Sequence, residues 1–235
     1  MGTLLEASHL PKDSKGLGIE ERVMALRDKA MEEGWGCEDY VIDSVKSDSD
    51  IASAVATQGM PQRIIDTLAG EHLKTPAYNA VHEFINTPKE AWCLVLAGPK
   101  GCGKSTAAAY YLWEKARMSE GEPSRALRWW TASRVSRVSG YNAELEKMMK
   151  VPHMIIDDLG VEYLDKNGYF NHRLDEVIDD RYSNYRKTII TTNLNAQDFQ
   201  TRYGERITSR IREGFKHADN METLYVNCTA KSLRV

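Results

Sequence analysis

The residues Gly98-Pro99-Lys100-Gly101-Cys102-Gly103-Lys104-Ser105 fit the pattern G-x-x-x-x-G-K-[ST] at every position. Glycines let such a loop curl so that successive backbone N–H groups point inward at phosphate oxygens. A helix that begins at the loop adds the positive end of its dipole. Lys104 supplies a mobile cation for the β- and γ-phosphates of a nucleotide, and the Ser105 hydroxyl is a magnesium ligand. Thr106, the next hydroxyl, is a weaker candidate for phosphate contact. Further on, the apolar run HMII ends in Asp157 and Asp158. A carboxylate at such a strand end holds Mg2+ directly or through water, so Asp157 takes that role. Asp158 then stands where a general base could polarise an attacking water. The same pair read without the upstream loop would be a helix N-cap. The run TIITT ends in Asn193, an amide that could orient water or serve only as turn chemistry. Last, Arg202, Arg206, Arg210 and Arg212 crowd TRYGERITSRIREGFK. Arg206 and Arg210 are four apart and share one helix face. Such arginines either neutralise a neighbour's γ-phosphate or form a solvated basic face.

A phosphate loop needs a strand before it and a helix after it. AWCLVLAG before the loop is a short apolar run of the kind that forms buried parallel strands, and STAAAYYLWEKAR after it reads as a helix. ALRWWTA, HMIIDDL and TIITTNL are three further strand candidates, separated by helical segments around 134–150 and 172–185. METLYVNC is a final, weaker one. This alternation predicts an α/β fold with a parallel five-stranded sheet flanked by helices. Residues 62–87 read as helical around Pro76, after a break at Gly59-Met60-Pro61.

Before that break, residues 1–58 form an expected first domain. A loose tail covers 1–18, an amphipathic helix begins at Ile19, and a second helical stretch follows Gly36. The apolar stripe of these helices packs on the main domain or docks on a partner. Residues 59–235 form the expected nucleotide-binding domain. Residues 1–75 carry 14 acidic and 8 basic side chains in a chain of net charge −3, so the remainder is net basic. Two different surfaces, or an uneven solvated one, would give this pattern. Cys37, Cys93, Cys102 and Cys228 include no C-x-x-C pair, which argues against zinc and for a reducing cytoplasm. Neither a secretory signal nor a membrane span is legible, so no membrane partner is expected.

Taken together and in order, GPKGCGKST, IIDDLG, DDRYSNYRKTIITTNL and YGERITSRI resemble the DnaC/IstB-like group of AAA+ ATPases. Gly59-Met60-Pro61-Gln62-Arg63 resembles that group's G-h-P-x-R opening. The likeness runs from about Gly59 to the C-terminus. It implies an AAA+ core that self-associates into a ring or spiral, with ATP between subunits. Asn193 matches the sensor-1 position. Arg210 matches the trans-acting arginine finger, with Arg206 as second choice. Ser232-Leu233-Arg234 resembles the group's C-terminal Ser-aromatic-Arg, which would make Arg234 the sensor-2 residue. Leu233 departs from the aromatic, Asp158 departs from the Glu of most AAA+ proteins, and the chain as given leaves no room for a full helical lid.

The resemblance implies a helicase loader: an ATPase that holds single-stranded DNA and delivers a replicative DNA helicase. A transposition helper ATPase and a nucleotide-switched scaffold with little turnover are the alternatives. For DNA contact, residues 124–140 carry four arginines and no acid, with Trp129 and Trp130 among them. Cations follow phosphates and aromatics stack on unpaired bases. Adjacent residues of a strand point to opposite faces, so Arg134 and Arg137 are better candidates than the tryptophan pair. Tyr163, Tyr169 and Phe170 follow the acidic strand, in a region that faces the central channel in the family. They could touch DNA or form an ordinary surface loop with local core.

Overall fold

The apolar run after Pro88 forms β1 (Cys93–Ala97), and every residue of it is buried. The computed structural model describes residues 46–68, 75–119, 123–137, 143–163, 168–214 and 225–228. The expected tail, the helix from Ile19, Cys37 and Arg234 lie outside them. The other strands are β2 (Leu127–Thr131), β3 (His153–Leu159), β4 (Lys187–Thr192) and β5 (Tyr225–Asn227). Their order in the sheet is β2-β3-β4-β1-β5, and all pairings are parallel. The sheet is therefore the five-stranded one expected, and β5 is its shortest strand.

Successive side chains of a strand face opposite ways, which divides the core in two. Leu94, Leu96, Trp129, Ile155 and Ile189 pack on one face. Against them lie α1 (Asp48–Thr57), α2 (Gln62–Leu68), α3 (Pro76–Ile85) and α4 (Lys104–Arg117). Val95, Trp130, Ile156 and Ile190 face the other way. They pack with α7 (Ala143–Lys150), α8 (Tyr169–Ser183), α9 (Ala196–Tyr203) and α10 (Glu205–Glu213). The short helices α5 (Pro123–Ala126) and α6 (Ala132–Val135) flank β2.

Three local expectations are refined. The described residues of 62–87 hold two helices, α2 and α3; Pro76 begins α3 at the position where a missing N–H costs nothing, and Thr75 caps it. The described residues around 134–150 hold the end of α6 and the whole of α7. The helix α1 falls within the expected first domain, 1–58, yet its Ile51 and Val55 are fully buried in the core formed with α4. Ser47 starts it with a capping box to Asp50. Just past it, Gln58 O accepts from Trp129 N–H at 2.9 Å, so the chain covers part of the β2 edge.

A buried guanidinium ties the lower end of the sheet together. Arg181 of α8 is fully buried. It donates to Met148 O at 2.8 Å, to Val151 O and Lys187 O at 2.7 Å, and to the Thr188 hydroxyl at 2.7 Å. The planar fork meets several acceptors at once, which an ammonium on a flexible stem does less well.

Candidate functional site

The motifs sit on β1, β4 and β3, which are adjacent in the sheet. Their carboxyl ends therefore meet at one edge, the usual place for ligands in open α/β sheets. The loop from Gly98 leaves β1 and runs into α4. Gly98 has φ +147° and lies under the end of β5: a Cβ there would be 2.7 Å from Cys228 O. No other residue fits so close an approach without moving that backbone. Gly103, at φ +88°, opens α4.

Lys104 is buried and directs its ammonium donors to Gly98 O at 2.8 Å, Pro99 O at 2.8 Å and Asn193 Oδ1 at 3.1 Å. Cys102 is buried beside it, with Sγ 3.7 Å from Nζ. The third motif thus joins the first: the amide expected at the sensor position touches the loop lysine across the gap between β1 and β4.

The second motif is held by a hydroxyl that the sequence left without a role. Thr191 Oγ1 donates to Asp157 Oδ1 at 2.7 Å and accepts from Asp158 N–H at 2.9 Å. The next hydroxyl, Thr192 Oγ1, donates to Leu159 O at 2.6 Å. These bonds span a β-bulge: Ile156 pairs with Ile190, but Leu159 pairs with Thr192, so β3 carries one extra residue. Asp158 takes φ +57° within it, an uncommon conformation for a residue with a side chain. The bulge leaves Asp157 buried and Asp158 exposed at the same strand end. Burial raises the Asp157 carboxyl above its ordinary value, and hydrogen bonds from Thr191 and Ser105 counter this. Asp158 raises it further and Lys104 lowers it. The Ser105 hydroxyl thus lies on the same side of the loop as the Asp157 carboxylate and favours its charged form. Two hard oxygen donors on one side of a phosphate loop suit Mg2+.

The arginines lie elsewhere. Arg210 donates to Asp175 Oδ1 at 2.8 Å and pairs with Asp179 Oδ1 at 2.5 Å. Arg206 reaches Asp175 Oδ2 at 3.2 Å and Asp179 Oδ2 at 3.7 Å. Among the described residues, neither contacts Lys104, Asp157 or Asn193. Asp175 and Asp179 were not singled out from the sequence. Their signal was available, because acids four apart on one helix match arginines four apart on another. Glu162 was also missed. It is buried just past β3 and accepts from Gly160 N–H at 2.7 Å, Arg202 Nε at 2.9 Å and Tyr203 O–H at 2.7 Å.

The DNA candidates divide. Trp129 and Trp130 are both buried, on opposite faces, which removes them as a stacking platform. Phe170 is core as well, the second of the two readings its place after the acidic strand allowed. Tyr163 is 76% exposed and Tyr169 57%. Arg134 is exposed, stacks on the Trp130 ring at 4.6 Å and pairs with Glu144 at 3.5 Å. Arg137 is exposed. Among the described residues, no helix is long and apolar enough to cross a membrane.

A parallel sheet with this loop, this acid strand and this amide at one edge defines a P-loop nucleotide-binding protein of the AAA+ kind. The chain matches the model of the IstB-like ATP binding protein family over residues 49–227, and it belongs to that DnaC/IstB-like family. No curated protein matches it. Among solved structures it is similar to a candidate primosome component from Streptococcus pyogenes serotype M3, 17% identical, with a TM-score of 0.53. That match covers 68% of this chain and 91% of the other, and at this identity it bears on the fold alone. The DnaC helicase loader matches at 23% identity and a TM-score of 0.49, over 67% of this chain and 93% of that one. DnaI matches at 22% identity and a TM-score of 0.49, over 75% and 95%.

Proposed function

We propose that this protein is an ATP-hydrolysing AAA+ helicase loader that self-associates with ATP, holds single-stranded DNA and delivers a replicative helicase. The observation that carries the ATPase reading is the contact of Lys104 with Asn193 beside the Thr191-bound Asp157. It unites three motifs from distant parts of the chain at one sheet edge. Lys104 would neutralise the β- and γ-phosphates. Ser105 and Asp157 would hold Mg2+, which when bound shields the phosphate charge. Asp158, exposed at the end of the bulge, would accept a proton from water, and Asn193 would orient that water. Arg210, with Arg206 beside it, would reach the nucleotide of a neighbouring subunit and stabilise the charge that develops in the transition state.

Exposed Tyr163 and Tyr169 follow β3, and exposed Arg134 and Arg137 follow β2, both at the carboxyl edge. This supports a DNA path along that edge. The match to the IstB-like model favours one second reading, a transposition helper on duplex DNA with the same core.

Light scattering of the full chain with the host's replicative helicase, an ATP analogue and single-stranded DNA tests the first reading. A complex that contains helicase is expected. DNA-bound oligomers without helicase would reject the loader and favour the transposition helper.

A further inference from the structure

The same two arginines face two demands. Arg210 uses both terminal nitrogens of its guanidinium on carboxylates, one on Asp175 and one on Asp179. Arg206, one turn earlier on α10, approaches the same two acids from the side. Asp175 and Asp179 are themselves one turn apart on α8, so the four residues form a ladder between the two helices. The Arg210 side chain is 17% exposed and the Arg206 side chain 66%. A guanidinium holds its donors in one plane. With both terminal nitrogens turned to these carboxylates the guanidinium is aimed at its own subunit, and a phosphate has to compete with Asp175 and Asp179 for it.

We infer that Asp175 and Asp179 are a restraint on the trans-acting arginines: they hold Arg206 and Arg210 within their own subunit until a neighbour's nucleotide competes for them. The inference rests on the reading of those arginines as acting between subunits. Each subunit that joins the assembly exchanges carboxylate partners for phosphate partners. The exchange keeps the arginines paired in both states, leaves the two carboxylates to solvent, and makes assembly depend on a nucleotide with its γ-phosphate. Neither aspartate contacts Lys104, Asp157 or Asn193 among the described bonds, so these acids act through the arginines and not on the nucleotide.

The test is ATP turnover per subunit as a function of protein concentration, on the full chain with magnesium and ATP. The Asp175→Asn/Asp179→Asn variant keeps the shape of both side chains and removes their charge. It is expected to reach half-maximal turnover at about a tenfold lower protein concentration, the scale of one charge-assisted hydrogen bond lost from the unassembled state. Asp179→Asn alone is expected to move the midpoint about threefold on the same grounds. Its side chain is 42% exposed, so this single variant stands even where the double one fails to fold. A variant that merely lost structure would not assemble more readily. An unmoved midpoint, or one shifted to higher concentration, overturns the restraint while the trans-arginine reading stands. Turnover that is independent of protein concentration in the unmodified chain, or intact in both Arg206→Ala and Arg210→Ala, overturns that reading and the restraint with it.

Discussion

Replacing Thr191 with valine removes one hydroxyl from a fully buried position and keeps the branched shape. Two bonds go with it. The donation to Asp157 is charge-assisted, which is worth about 1.5–3 kcal/mol. The Asp158 N–H loses its acceptor, and a stranded backbone donor costs about 1–3 kcal/mol. Asp158 is exposed, so water recovers part of the second loss. A net destabilisation of about 3 kcal/mol results, which in a domain of this size lowers Tm by about 6–12 °C. The sign with pH is also fixed. The folded pKa of Asp157 is raised, chiefly by burial, so this group's contribution to the stability of the nucleotide-free protein is fullest below the ordinary carboxylate value. That stability is lost as pH rises through the folded value. The Thr191 bond opposes this rise. Thr191→Val therefore extends the loss to higher pH, and its cost is greater at about pH 8 than at about pH 5. Calorimetry of both proteins at the two pH values measures this, and a magnesium titration of ATP turnover should show weaker metal dependence in the variant. A Tm within about 2 °C of the original at both pH values would refute the role assigned to Thr191.

Lys104→Ala should weaken ATP binding about a hundredfold or more by calorimetric titration, and retained affinity would reject the loop assignment. Arg210→Ala should leave ATP binding intact and lower turnover of the assembled protein about a thousandfold, while normal turnover would reject the finger role. His153, bonded to the Tyr111 hydroxyl at 2.8 Å, is pushed down to about 4 by burial and by Lys115, Arg181 and Lys187. The folded protein should therefore lose on the order of 3 kcal/mol as pH falls from about 6.5 through 4, because only the unfolded chain takes the proton early. Denaturant unfolding across that range checks it, and His153→Phe should flatten the slope. Arg134→Ala with Arg137→Ala should weaken DNA binding and reduce its salt dependence, and an unchanged slope would move the DNA surface elsewhere.

The sheet was legible because parallel strands buried on both faces read as unbroken apolar runs, as CLVLA and HMII do. The phosphate loop was legible because its glycines and lysine are fixed by chemistry at fixed spacing. What escaped notice depends on which residues of different elements face each other. Thr191 looked like one more β-branched strand residue until its hydroxyl was found between the two aspartates. The β-bulge has no signature in IIDDLG, since an extra residue shows only against a partner strand's register. The tryptophan pair shows the converse. Strand alternation required only that one of them be buried, and the cover on both faces of β2 buried both. Arg181 lay within a quoted motif, yet nothing in the sequence said that its charge would be met by carbonyls instead of an acid.

That choice of partners has a consequence for how the protein yields to salt. The bonds of Arg181 run to neutral oxygens in a place that ions do not reach, so added electrolyte leaves them alone. The ladder between α8 and α10 consists of formal charges at a partly open surface and loses strength as the Debye length shrinks. Both devices are anchored on α8, about four turns of helix that carry Asp175 near the middle and Arg181 near the C-terminal end. Rising ionic strength thus weakens the ladder and spares the Arg181 anchor, so the arginines gain freedom on a scaffold that keeps its shape.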